Sequence, residues 1–346
     1  MKALAIPHHG TIDDIQILDL DTPSPGEGQV LVRTRAGALN RLDLFVVAGL
    51  PGVKLPMPHV LGSDGAGEVA EIGSGVKGRQ PGDRVMLNPC IWCDRCEFCR
   101  RGEQSLCVRL RLLGEHVAGT LADYFVASAG SLTGIPEKVD YPQAAAFSLV
   151  HQTAWRLLIT RGCLRPGEDV FIHGIGGGVA TASLSIARLA GARVFVSSSN
   201  DSKLERAREL GATFAFNYEK EDILDQVRTI TSKRGVDLVV DSVGEKTWLQ
   251  SLKMVSKGGR IVTCGATTGP NPRTEIRLIF WKQISILGST MSNVTEFNRV
   301  VKLLGQGQLQ PVIDSVLPLE QGREAFSRLS QGKQFGKIVL TMGSGF

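Results

Sequence analysis

"DVFIHGIGGGVATASLSIARLAGARVFVSSS", residues 169–199, holds a strand, a turn, a helix and a second strand in one run. DVFIHG (169–174) is a short apolar and β-branched stretch, which reads as a buried strand. GVATASLSIARLAGA (178–192) reads as a helix stopped at Gly191, and RVFVSSS (193–199) as the next strand. Four glycines, 174, 176, 177 and 178, crowd the first turn. At such a turn the backbone amides of a helix N-terminus can hold a pyrophosphate, and glycine lets the phosphate approach. Small residues behind it, Ala180, Ala182 and Ser183, let the helix pack on the sheet.

The literal dinucleotide fingerprint is imperfect. If Ala180 takes its third position, Gly177 is the second and Ile175 replaces the first glycine. Alone, the turn is equally readable as a structural glycine turn. Its surroundings decide the matter. SKLERARELGA (202–212) reads as a helix, with Ser202 and Glu205 at capping-box spacing and Gly211 as its stop. TFAFNY, GVDLVVDSVG, GGRIVTCGA and QISILGST supply further strands. Alternating strands and helices predict a parallel, Rossmann-type sheet that binds a dinucleotide.

The end of the second strand selects the cofactor. An NAD site usually offers an acid there for the ribose hydroxyls, where this chain has Ser198, with Lys203 one turn into the next helix. Serine and lysine suit an added 2′-phosphate, so NADP(H) is expected. Asp201 is assigned to the helix start.

Upstream the rhythm differs. Short runs at 29–36, 67–73, 83–88 and 121–128, separated by turn sequences, make residues 1–130 look all-β. From Tyr141 to Gly162 a helix is expected, with Pro142 near its start. Glycine is abundant, 40 of 346 residues, as nucleotide-binding α/β proteins require. The excess of 39 basic over 34 acidic residues is mild and spread along the chain. The run Arg100, Arg101, Arg109 and Arg111 is read as a solvated face, and no nucleic-acid partner is expected. The opening residues carry no signal-peptide core, and no stretch approaches the ~18 apolar residues of a membrane span. A cytoplasmic protein without a membrane partner is expected.

Residues 88–107, NPCIWCDRCEFCRRGEQSLC, contain five cysteines: 90, 93, 96, 99 and 107. Repeated Cys-x-x-Cys steps without histidine point to a closed, structural zinc site rather than disulfides. A redox dithiol and an iron–sulfur cluster are the alternatives, and spacing alone does not choose four of the five. Cys163 and Cys264 stand alone and are read as small core residues.

Together, HVLGSDGAGEVAEIGSGV (59–76), PGDRV (81–85), the cysteine lobe, QTAW (152–155), the glycine turn, NY (217–218) and FGKIVL (335–340) resemble the medium-chain dehydrogenase/reductase superfamily, in its zinc-type alcohol dehydrogenase and quinone oxidoreductase group. The resemblance spans nearly the whole chain. It implies an α/β protein with a β-rich, GroES-like catalytic domain over 1–149, including a zinc lobe at about 88–112. A Rossmann cofactor domain over 150–290 follows, and 291–346 returns to the catalytic domain.

The resemblance also implies roles. One structural zinc per chain falls to Cys93, Cys96, Cys99 and Cys107, leaving Cys90 spare. The family's catalytic-zinc ligand positions carry Asn40, Ser63 and Leu149 here, none an ordinary zinc ligand. Asp64 keeps the family's acid, and His59, His116 and His151 flank the region. Asn40 is expected to donate to the substrate oxygen, Asp43 to order its loop and Thr153 to lie near the nicotinamide. Gly176, Gly177, Gly178 and Val179 would hold the pyrophosphate. Ser198, Lys203 and Tyr218 would surround the 2′-phosphate and adenosine. Gly265, Ala266, Thr267, Gly288 and Ser289 would bind the nicotinamide amide, with Lys337 reaching the cofactor.

The expected function is NADPH-dependent reduction of a quinone or α,β-unsaturated carbonyl, in a homodimer or homotetramer. The alternatives are an alcohol dehydrogenase with a rebuilt metal site and a non-enzymatic NADPH-binding protein.

Overall fold

The computed structural model describes residues 1–343 and divides into two units: Met1–Val150 with Ser292 onward, and His151–Met291. In the first unit, strand β1 (Gln29–Ala38) pairs antiparallel with β2 (Asp64–Ile72), which pairs with β3 (Arg84–Leu87). Val30, Val32, Val69, Val85, Leu87 and Phe125 form a core against these strands. Alternation of apolar and polar residues along β1 puts its valines on that face.

The first 130 residues are not all-β. Helix α1 (Arg41–Ala48) follows β1 directly, with Asn40 at its N-cap. The Asn40 amide donates to the Asp43 carboxylate (2.7 Å), which satisfies one of the N–H groups that a helix start leaves open. RLDLFVVA shows no apolar stripe in the sequence, because the charged Asp43 shares its buried face with Val46 and Val47. Helix α2 (Tyr141–Trp155) occupies the expected position and continues through a wider π-turn at Arg156–Arg161.

The second unit is a six-stranded parallel sheet of β4 (Asp169–Ile172), β5 (Arg193–Ser198), β6 (Phe214–Asn217), β7 (Val236–Val240), β8 (Val255–Thr263) and β9 (Ser285–Gly288). The order across the sheet is β6-β5-β4-β7-β8-β9, all parallel. Strand order therefore reverses between β4 and β7, and ligands bind at such a switch point, beyond the carboxyl ends of the strands. Helix α3 (Gly178–Leu189) follows the glycine turn and α4 (Asp201–Glu209) follows β5. The cap of α4 is Asn200, not Ser202: the Asn200 Oδ1 accepts from the Lys203 amide at 3.2 Å. Asp201 begins the helix. Helices α5 (Trp248–Met254) and α6 (Ile276–Lys282) flank the later strands. Phe171, Phe195, Phe216, Val239 and Leu252 fill the core. Cys163 does not belong to it: the residue is exposed, with φ of 47°.

The chain then rejoins the first unit. Strand β10 (Ile313–Pro318) lies parallel to β11 (Lys337–Thr341), and β11 pairs antiparallel with β1, setting Val339 opposite Ala38. Among the described residues, no helix is long and apolar enough to cross a membrane.

Candidate functional site

Three groups of residues carry chemistry. The first is the glycine turn after β4. Gly174 and Gly176 have φ of 66° and 130°, values that L side chains resist. Gly177 is the N-cap of α3, and no side chain caps the helix there. A Cβ on Gly177 would meet nothing within 4 Å. The amides of the first turn, at Gly178 and Val179, thus face an uncapped, open approach at the positive end of a helix, which fits an anionic pyrophosphate.

The adenosine end is shaped by β5 and β6. Ser198 ends β5, and its Oγ accepts from the Asn200 amide (3.1 Å). Tyr218 is exposed, and its amide donates to the Ser198 carbonyl (3.1 Å). The Asp201 carboxylate is turned aside: it accepts from Lys220 Nζ (2.5 Å) and Asn217 Nδ2 (2.7 Å). That bonding holds its pKa below the ordinary aspartate value, Lys220 first. Further along the sheet, Thr267 donates through its amide (3.2 Å) and Oγ1 (3.0 Å) to the Ser242 carbonyl, and the Ser289 amide donates to the Thr263 carbonyl (2.9 Å). Gly265 and Ala266 lie in the loop after β8, and Gly288 ends β9. Thr153 is buried on α2, its Oγ1 donating to Met291 Sδ at 3.8 Å.

The second group is the thiol lobe. The Sγ atoms of Cys93, Cys96, Cys99 and Cys107 lie within 4.8 Å of one another. Tetrahedral zinc with ~2.3 Å bonds needs sulfurs roughly 3.8 Å apart, so the four thiols fit such an ion with a small contraction. Backbone amides already aim at the sulfurs: Cys93 and Arg109 donate to Cys107 Sγ (3.4 Å each), and Cys99 donates to Cys96 Sγ (3.5 Å). The Cys99 amide is the main reason that the Cys96 thiol is brought down to about 6. Four sulfurs around one ion would leave no position for water or substrate, which fits a structural site. Cys90 stands outside the set on a short strand, and burial pushes its thiol up to about 12.

The third group was not foreseen from the sequence in this form. Lys337 opens β11, is 3% exposed, and uses all three ammonium donors. They reach the Leu39 carbonyl (2.7 Å), Asn40 Oδ1 (2.6 Å) and Asp64 Oδ2 (2.8 Å). Asp64 is fully buried and also accepts from Asn40 Nδ2 (2.8 Å) and the Leu149 amide (2.8 Å). Burial raises the nearby Asp43 carboxyl to about 7, opposed by the Asn40 amide and the Lys337 charge. The second N–H of the Asn40 amide points to the Ala38 carbonyl at 3.4 Å, so donation to a substrate oxygen would require that long bond or the one to Asp64 to open. Lys337 has no N–H left for a cofactor.

The Asp64 carboxylate is equally committed. His59 Nε2 lies 3.1 Å from the Gly114 carbonyl, and His116 Nδ1 accepts from the Leu112 amide (3.2 Å). Among the described residues, no set of three metal-type donors converges apart from the four thiols.

A GroES-like unit, a doubly wound parallel sheet and a four-thiol lobe define a two-unit dehydrogenase of the zinc-type class. The alcohol dehydrogenase GroES-like domain matches residues 26–137, and the zinc-binding dehydrogenase domain matches 178–306. A solved NAD-dependent alcohol dehydrogenase superposes with a TM-score of 0.95 at 40% identity, over 99% of this chain and 100% of that one. The quinone oxidoreductase of Homo sapiens is 28% identical over 99% of this chain and 98% of its own. The acryloyl-coenzyme A reductase of Metallosphaera sedula is 29% identical over 99% of this chain and 100% of its own. The chain belongs to the medium-chain dehydrogenase/reductase superfamily and is an oxidoreductase that acts on a small molecule.

Proposed function

We propose that the protein uses NADPH to reduce a quinone or an α,β-unsaturated carbonyl, without a catalytic zinc. The observation that carries this reading is the bonding of Asp64. Where the resemblance places catalytic-zinc ligands stand Asn40, Ser63 and Leu149, and the remaining acid is satisfied by an ammonium, an amide side chain and a backbone N–H. Hydride addition to a conjugated C=C bond or to a quinone does not strictly need a Lewis acid, because the developing charge spreads onto an oxygen that N–H or O–H donors can stabilise. Bound NADPH would supply the hydride. The amides of Gly176, Gly177, Gly178 and Val179 bind the pyrophosphate, and Gly265, Ala266, Thr267, Gly288 and Ser289 orient the carboxamide, with Thr153 beside the ring. Placement of donor against acceptor then provides most of the rate. Asn40, Asp43, Asp64 and Lys337 hold the start of α1 in one geometry and act as positioning residues. One zinc at Cys93, Cys96, Cys99 and Cys107 braces the lobe.

Selection of NADPH rests on Ser198, Lys203 and Tyr218, and on an Asp201 carboxylate that faces Lys220 instead of the ribose. Lys203→Glu is expected to lower kcat/KM with NADPH by about tenfold or more and with NADH by less than about twofold. Steady-state kinetics with both nucleotides check this, and a wild-type kcat/KM for NADH equal to or above that for NADPH would overturn the preference.

The second reading, an alcohol dehydrogenase, draws on the structural likeness to the NAD-dependent alcohol dehydrogenase. It requires two tightly held metal ions per chain and oxidation of simple alcohols, against one ion and enone turnover for the first.

A second copy of the chain is proposed to pair along β9. That strand is the open edge of its sheet, with Ile286 exposed on it and Phe280 and Trp281 exposed on α6. Ile286→Lys is expected to reduce the mass in light scattering to that of a single chain.

A further inference from the structure

Beside the glycine turn lies a buried polar chain that none of the roles above uses. His173 is the residue between β4 and Gly174, and it is 3% exposed. Its Nε2 lies 3.0 Å from Ser251 Oγ on α5, and that hydroxyl lies 2.7 Å from Asp241 Oδ2. Asp241 follows the last residue of β7. The direction of the chain is fixed by its members. The Asp241 carboxylate and the Thr247 carbonyl, 3.2 Å from the same hydroxyl, only accept, so the single Ser251 proton goes to that side, chiefly to the nearer and charged Asp241, and His173 must carry its proton on Nε2 and donate to Ser251. Burial brings the His173 imidazole down to about 4, so it is neutral.

The other Asp241 oxygen organises the turn after β7. Oδ1 accepts from the Val243 amide (3.0 Å), the Gly244 amide (3.1 Å) and Thr247 Oγ1 (2.8 Å). The loop after β8 rests on the same turn, since Thr268 donates to the Val243 carbonyl through its amide and Oγ1 (2.8 Å each). The chain thus joins the loops on both sides of the place where strand order reverses. An apolar trio would fill this volume without burying a carboxylate. The polar one adds direction, because a satisfied buried network admits one arrangement of the groups that it links.

We propose that His173, Ser251 and Asp241 form a positioning relay. It holds the glycine turn after β4 and the 241–247 turn after β7 in mutual register, and so sets dinucleotide affinity without touching the dinucleotide. The inference rests on the dinucleotide reading proposed above. Because both turns serve the part common to the two nucleotides, the relay does not discriminate between NADPH and NADH.

The test uses the purified full-length chain. Kd for NADPH and for NADH is measured by fluorescence titration, with kcat at saturating NADPH and Tm in parallel, for wild type, Ser251→Ala, Thr247→Val, His173→Leu and His173→Gln. Ser251→Ala and His173→Leu are expected to raise both Kd values by about tenfold, by the same factor for each nucleotide, with kcat within about twofold of wild type. Thr247→Val, which removes the hydroxyl on Asp241 Oδ1 and leaves the Thr247 carbonyl beside Ser251 in place, is expected to follow with a smaller rise. Glutamine can place an N–H near the Nε2 position, so His173→Gln is expected to restore most of the affinity. Unchanged Kd values alongside a lower Tm would overturn the relay and leave an ordinary brace, as would a His173→Gln variant no better than His173→Leu. Wild-type chain that binds neither nucleotide would overturn the dinucleotide reading and the relay with it. Binding by wild type and by all variants alike would overturn the relay alone.

Discussion

Lys337→Met is expected to destabilise the first unit by about 3–5 kcal/mol, the usual result of removing one partner from a buried ion pair. Methionine fills the volume of the lysine stem but leaves Asp64 with no cation and the Leu39 carbonyl and Asn40 Oδ1 without the donors they now have. The thermal transition of that unit should fall by roughly 10 °C. The loss should depend on pH, with a definite sign. With Lys337 gone, Asp43 loses a charge that opposes the rise of its buried carboxyl. Asp43 already stands raised to about 7. In both proteins the folded state binds more protons than the unfolded one from about pH 4 up to the folded Asp43 pKa, and the variant extends that range above about 7. The deficit should therefore be constant in acid and grow as pH rises above about 7. Lys337→Met combined with Asp64→Asn removes both charges and keeps an acceptor for the Leu149 amide. It should recover half or more of the loss in a double-mutant cycle. A single variant as stable as wild type at pH 7 would show that the pair does not carry the unit.

Cys96→Ser is expected to empty the lobe of zinc, whereas Cys90→Ser leaves about one ion per chain. The reason is local. The lobe has only a four-residue helix (Glu97–Arg100), a 3-10 turn (Gln104–Leu106) and two-residue strands, and its Leu106 and Val108 are exposed. So little buried apolar surface cannot hold a loop closed, and binding energy from four thiolates has to. Serine at 96 removes the sulfur that two backbone amides, those of Cys99 and Val108, prepare as a thiolate. Metal analysis with limited proteolysis checks both variants: Cys96→Ser should be cut between residues 93 and 107, and Cys90→Ser should not. Equal zinc in the two proteins would sink the assignment.

The features legible in the sequence were those whose chemistry is local. The glycine turn, the strand–helix alternation and the cysteine spacing each lie within one short run, and the parallel sheet follows from them, its strand order being seen only in the fold. What escaped was either weakly patterned or remote. Helix α1 has no apolar stripe, because Asp43 takes a core-facing position. Asn200 outcompetes Ser202 as the cap of α4 by lying one residue before the helix, which periodicity does not locate that finely. Asn40 read as a donor to substrate because the carboxylate that takes its N–H, Asp64, is fixed in place by a lysine 273 residues further on. His173, Ser251 and Asp241 come from three separate segments, and only the sheet order brings them together.

The distance between Asp64 and Lys337, 273 residues along the chain, also has a consequence for synthesis. The carboxylate leaves the ribosome well before its counter-charge, with the entire second unit emerging between them. Until residue 337 emerges, the β1–β2 sheet therefore lacks both its Lys337 cation and the neighbouring strand β11. The second unit, continuous in sequence, is free to fold first, and the amino-terminal unit is completed only when the tail arrives. A nascent chain halted before residue 337 should remain a client of chaperones, with its first half open and its middle already native.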